Sequence, residues 1–409
     1  MKKYDIVVVG GGIAGVAAAV AAGREGMKTL LVEKFGSLGG TMSAGLVYPF
    51  MKNHLPSNGF ELSQGLFAEM KKRHAAYGDA SWELYKMVFD DMCMEAGVDV
   101  LFHSTVFEAK TDGRKITGVC IATKAGVLDV EADFFVDASG DGELMFMTGC
   151  DYQLGREEDN FCQPMTACFR VGNVDVDLFK QEKPMLQEKY KEAQQVGKIK
   201  NPRENILTFL RVSEGVVHFN TTRIIKLNPV DPFDVSRAEM IARQQTTEMM
   251  AFLREHGKSF QNCNLIGCTH HIGVRESRKL KGEHILTVEE LMNSVSFPDT
   301  IAVGNYKIDI HSPTGTGTEI IYLEGDNYYQ IPYRCLLPKE YDNMLVAGRN
   351  VSADHRAHSA VRIMPICACM GEAAGVALAL AKKSGKDART VDIQAVRQTL
   401  KDKGAVVEL

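Results

Sequence analysis

The chain has 409 residues, 45% of them hydrophobic and 24% charged, which is the balance of an ordinary globular protein. Its formal net charge is −5 and no block of five like charges occurs, so neither a nucleic-acid partner nor a charged tail is indicated. Ten cysteines form no C-x-x-C pair and sit in apolar runs such as Val119-Cys120-Ile121. They read as free thiols in a reducing, cytoplasmic compartment, without a metal site.

The first element is "YDIVVVG", β-branched and nearly all apolar, which reads as a buried parallel strand. The stretch that follows, "GGGIAGVAAAVAAG", could be mistaken for a secretory or membrane segment. Asp5 interrupts its start, three adjacent glycines break the apolar run, and Arg24 and Glu25 end it short of the roughly 20 residues a span requires. A phosphate-binding turn accounts for every residue. Gly10-x-Gly12-x-x-Gly15 gives the tight turn, the backbone approach to a pyrophosphate and the close helix–strand contact. Ile13, Ala14 and the alanines at 17, 18, 19, 21 and 22 give a slim helix. A second strand, "KTLLVEK", ends in Glu33 and Lys34. Glu33 stands 18 residues past Gly15, close to the roughly 20 expected of a ribose-binding carboxylate.

Further along, "ELYKMVFDDMCMEA" has the period of an amphipathic helix. A strand and an antiparallel meander follow, with turns at Asp112-Gly113 and Ala125-Gly126. "ADFFVDASGDG" reads as a strand ending at Ala138-Ser139-Gly140-Asp141. From about 151 to 330 charged helical stretches such as "DLFKQEKPMLQEKYKEAQQVGK" alternate with strand-like pieces such as "GVVHFNTTR". The chain then returns to a strand, "YDNMLVAGRN", ending in Gly348-Arg349. An Ala-rich helix follows, with Met364 and Pro365 at its start, where proline is favoured.

These motifs together resemble the glutathione-reductase-like FAD-binding superfold. Gly39-Gly40-Thr41 resembles its pyrophosphate and ribityl loop, Ala138–Asp141 its cofactor-side strand end with Ser139 for the usual threonine, and Val106 falls at its adenine position. "GCTHHIGVRESRKLKGEHILTVEELM", "FPDTIAVGNYKIDIHSP" and "YQIPYRCLLPKEYDNMLVAGRNVSADHRAHSAVRIMP" resemble the FAD-dependent oxidoreductase family of bacterial flavoproteins, with positions about 175 to 260 matching least. The resemblance implies an α/β fold: a Rossmann-like FAD-binding domain of residues 1–155 and 330–409, with an inserted α+β substrate domain of residues 156–329. It implies FAD held without a covalent link, since the loop after Gly40 carries no histidine. The implied reaction is hydride transfer between a small-molecule substrate and flavin N5. An electron-transfer subunit and a non-redox FAD-binding protein are the alternatives.

No second G-x-G-x-x-G follows a strand, so the electron acceptor is not specified, and neither a nucleic-acid nor a membrane partner is expected. A homo-oligomer is compatible with the sequence. The candidates for chemistry are His271 and Arg275 in "CTHHIGVRESRK", His311 at the end of "NYKIDIHSP", and Arg334, an arginine in an apolar stretch that must find an anion or a carbonyl cluster. Neighbouring His270 and His271 cannot share a strand face. Glu276 and Arg278 read as structural. "SADHRAHSAVR" adds Asp354, His355, Arg356, His358 and Arg362 close to the expected cofactor.

Overall fold

The computed structural model describes residues 2–409. The first strand, β1 (Lys2–Val9), is flanked in parallel by β2 (Thr29–Val32) and by the end of a much longer strand. β3 (Asp99–Leu101) extends the sheet beyond β2. β4 (Thr105–Asp112) and β5 (Lys115–Thr123) form the meander with β6 (Gly126–Asp137). The last meander strand and the cofactor-side strand end are one element: β6 runs twelve residues, antiparallel to β5 at its start and parallel to β1 at its end. The return strand Met344–Val346 lies on the other side of β6, in parallel.

The consequence is positional. Val9, Val32, Asp137 and Val346 end at one level, where ligands bind in open parallel sheets. Backbone bonds lock that edge: Ala138 N–H donates to Val9 O at 2.8 Å and Ala347 N–H to Asp137 O at 2.9 Å.

Helix α1 (Ile13–Arg24) packs against the return helix Met364–Ser384. Their small residues let the backbones touch: a Cβ at Gly371 or Gly375 would overlap the carbonyl oxygen of Ala14 or Ala18. The return helix is long and apolar enough to cross a membrane, but it is buried inside the protein.

A separate four-stranded antiparallel sheet takes its strands from residues 169–172, 208–213, 216–219 and 264–268. Helices Val176–Gln195 and Pro232–His256 cover it through Phe179, Leu186, Tyr190, Phe252 and Leu253. Residues from Leu286 to Leu337 supply side chains to the same apolar cluster as α1 and the return helix. All ten cysteines are unpaired, and all but Cys268 are buried.

Candidate functional site

A cavity of about 780 Å³ opens at the strand ends and runs toward the antiparallel sheet. That volume falls inside the roughly 300–1,000 Å³ of ligand pockets. At one end stands the glycine turn. Gly10 has φ +98°, and a Cβ there would sit 2.6 Å from Ala138 O, so no other residue fits. A Cβ on Gly15 would overlap the Gly10 carbonyl oxygen. A Cβ on Gly12, by contrast, would meet no protein atom within 4 Å. Its open side is the cavity it lines. No side chain caps α1 and no acid lies in its first turn, so its free N–H groups and positive end remain for an anion.

The second glycine pair is pinned to the first: Gly39 N–H donates to Gly11 O at 2.8 Å, and Gly12 and Gly39 form a parallel bridge. Glu33 shapes the same loop. One carboxylate oxygen accepts from Gly11 N–H at 2.7 Å and the other from Phe35 N–H at 2.8 Å. Burial raises its pKa against these bonds. Lys34 pairs with Glu143 at 3.0 Å. Of the expected cofactor residues, Gly10, Gly12, Ile13, Ala14, Glu33, Lys34, Gly40, Thr41, Val106, Ala138, Ser139, Gly140, Asp141, Gly348, Arg349 and Met364 line the cavity. Gly15 and Gly39 do not; they shape the backbone behind it.

Asp141 and Arg349 form an ion pair at 2.9 Å, and Ser277 Oγ donates to Asp141 at 2.8 Å. Burial would raise the Asp141 carboxyl, but Arg349 and Lys34 outweigh it and hold it below its ordinary value. Ile363, Met364 and Cys367, from the uncapped start of the return helix, close this part of the wall.

The far end of the cavity is lined by Arg203, Arg275, Arg362, His311, Tyr306, Asp309 and Glu204. Tyr306 donates to Asp309 at 2.9 Å, and Thr318 Oγ1 lies 3.0 Å from His311 Nδ1. Burial, and then four arginines, push the His311 imidazole far below its usual range, so it is neutral. Burial and neighbouring arginines also lower Arg275, to about 9. Sequence reasoning missed Arg203, Glu204 and Arg223. Arg203 and Glu204 are neighbours in "NPREN" and Arg223 stands alone in "NTTRI", with no periodic pattern to mark them.

The structure separates the four catalytic candidates. Arg275 and His311 meet in the arginine-rich end. His271 lines the same cavity at the opposite end, its ring 5.3 Å from Phe35, with its pKa lowered to about 4 by burial and Lys34. His270 is exposed. Arg334 corrects the reading of "QIPYRCLLP". It does not line the cavity, because Asp299 takes its guanidinium at 2.9 and 3.2 Å at the protein surface. Glu276 is fully buried, paired with the buried Lys279 and, at 2.8 Å, with His355. Arg278 lies 4.1 Å over the Phe146 ring.

Parallel strands that end on a G-x-G-x-x-G turn, with a carboxylate behind it and a cavity in front, define a dinucleotide-binding protein of the Rossmann type. The chain belongs to the FAD dependent oxidoreductase family, whose model matches residues 5–400, and FAD is therefore its cofactor. It is 26% identical over 198 residues to digeranylgeranylglycerophospholipid reductase of Thermoplasma acidophilum, a match covering 43% of this chain and 49% of that one. A local match, 60% over 37 residues, links 9% of the chain to 7% of dihydrolipoamide dehydrogenase of Chaetomium thermophilum. The chain thus spans half or less of the curated relatives it matches. The solved structure of BexE, a protein studied for oxidation during BE-7585A biosynthesis, shares the fold at 11% identity. Its TM-score is 0.50, over 99% of this chain and 67% of that one.

Proposed function

We propose that this protein is a cytoplasmic oxidoreductase that exchanges hydride between a small molecule and non-covalently bound FAD. One observation carries the reading: a single cavity joins the Gly12–Glu33 cradle to a wall of polar groups led by Arg275 and His311. Gly12, Glu33, Thr41, Ser139 and Arg349 are the residues that hold FAD. The open side of Gly12 and the free N–H groups of α1 fit its pyrophosphate. When bound, FAD supplies a two-electron acceptor at N5.

The chain's own groups do the rest. Arg275 and Arg362 bind and orient the substrate. The Tyr306–Asp309 pair holds or accepts the proton that accompanies hydride transfer, and His311, kept neutral by burial and the arginines, offers a hydrogen bond beside it. The division into a discontinuous FAD domain and a substrate domain of residues 156–329 belongs to this proposal, since Arg203, Arg275 and His311 fall in the insert. The test is anaerobic: purified, yellow protein is mixed with a metabolite library and its visible absorbance followed. A metabolite that bleaches the flavin supports the proposal. Reduction only by another redox protein would replace it with an electron-transfer role.

A further inference from the structure

The arginine-rich end of the cavity holds more positive charge than the fold compensates. Arg275 donates only to Pro164 O, at 2.7 Å, and to the Thr166 hydroxyl. Arg362 donates to Gln163 Oε1 at 3.2 Å, and its Nε is buried without a partner. Among the described residues, neither has a carboxylate within 4.0 Å. Arg203, with 6% of its side chain exposed, stands 4.0 Å from one oxygen of Glu204, whose other oxygen Arg223 takes at 2.9 Å. Asp309 receives the Tyr306 hydroxyl and faces His311 at 3.8 Å. Lys307 also lines the cavity, but its ammonium lies over the Tyr322 ring. Four guanidinium groups therefore share this region with two carboxylates, leaving about two positive charges unmatched.

Buried cations are tolerated when an anion meets them, and neutral carbonyls do not offset the desolvation of this many. The planar fork of arginine matches carboxylate and phosphate oxygens in pairs. The cradle end carries its own charges, paired there: Lys34 with Glu143 at 3.0 Å and Arg349 with Asp141 at 2.9 Å. The open side of Gly12 and the free N–H groups of α1 match the FAD pyrophosphate, which leaves the arginine-rich end for a second anion.

We propose that the substrate is a small organic dianion, gripped by Arg203, Arg275 and Arg362 through carboxylate or phosphate oxygens. This rests on the oxidoreductase reading above for the word substrate, but the binding claim stands by itself. The experiment titrates the FAD-loaded protein with malonate, succinate, glycerol 3-phosphate and neutral succinamide, reading both melting temperature and flavin spectrum. At least one dianion is expected to raise the melting temperature and shift the spectrum, with succinamide silent. Strongest response to a dicarboxylate assigns carboxylates; strongest response to glycerol 3-phosphate assigns a phosphate. Arg275→Gln and Arg362→Gln should each weaken that dianion ten- to a hundredfold with FAD content unchanged, and Arg275→Lys should recover part of the loss. Silence of every dianion, an equal response to succinamide, or unchanged affinity in both Gln variants would overturn the proposal. A protein that holds no FAD overturns the oxidoreductase reading instead, and the melting-temperature arm still decides on the dianion.

Discussion

Gly12 and Gly15 sit three residues apart in one turn, yet the structure assigns them opposite costs. A methyl group at Gly12 meets no protein atom within 4 Å, and its backbone, φ −65° and ψ 175°, suits any residue. The Gly12→Ala change gives up only helix-capping preference, about 1 kcal/mol at most, or roughly 1 °C in the melting temperature of a chain this long. The methyl group does, however, stand in the cavity where the pyrophosphate approaches the backbone. Each lost charge-assisted bond is worth about 1.5–3 kcal/mol, so FAD affinity should fall about ten- to a hundredfold per bond. Gly15→Ala places its Cβ onto the Gly10 carbonyl oxygen and 3.0 Å from that carbonyl carbon. The backbone must move, at a cost of about 3 kcal/mol or more, so apoprotein melting should drop by roughly 3–4 °C or more. The assay pairs thermal melting of FAD-stripped protein with FAD titration of each variant. Wild-type FAD affinity in Gly12→Ala, or wild-type melting in Gly15→Ala, would refute the assignment of this turn.

Glu372, buried in the return helix, accepts from Leu66 N–H at 2.9 Å, and burial raises its pKa to about 7. The folded protein therefore binds this proton more tightly than the unfolded chain. The resulting penalty is absent below about pH 4.5, grows as pH rises, and is complete above about 7. Glu372→Gln should raise melting temperature at pH 8, by up to the order of 3 kcal/mol, and change it little at pH 5; equal effects at both pH values would contradict this. Arg334→Gln should leave flavin reduction by substrate within twofold of wild type, since Arg334 lies outside the cavity, while lost pairing with Asp299 lowers the melting temperature; a large loss of turnover would return Arg334 to the site. His311 should show no titration between pH 5 and 8 in ligand-free protein, because burial and four arginines hold it neutral. Histidine NMR signals across that range test this directly.

The cradle was legible because its chemistry is local. Gly10, Gly12, Gly15 and Glu33 lie on one strand–turn–helix–strand unit, and each residue type answers a steric demand within a few positions. The arginine-rich wall was only half legible. Arg275 and His311 stood out as functional groups near family-like motifs, but Arg203 and Arg223 lie in stretches without period. They meet Arg362 only through the packing of distant segments. Arg334 shows the converse error. Its apolar neighbours called for an anion, from a ligand or from a buried aspartate, and the anion is Asp299, 35 positions away. His271 lines the cavity beside Phe35, a neighbour no spacing pattern could name, because spacing sets which face a residue takes and not which residue it meets.

The central claim is redox chemistry on a small molecule at a bound flavin. Its most direct test is an anaerobic titration of FAD-loaded protein with the dianion that binds most tightly, or with its hydroxy- or amino-bearing analogues. The account predicts stoichiometric loss of the oxidised flavin absorbance with one of them, and loss of that response in Arg275→Gln. A flavin that stays oxidised under every such compound, while still accepting electrons from dithionite, would contradict it.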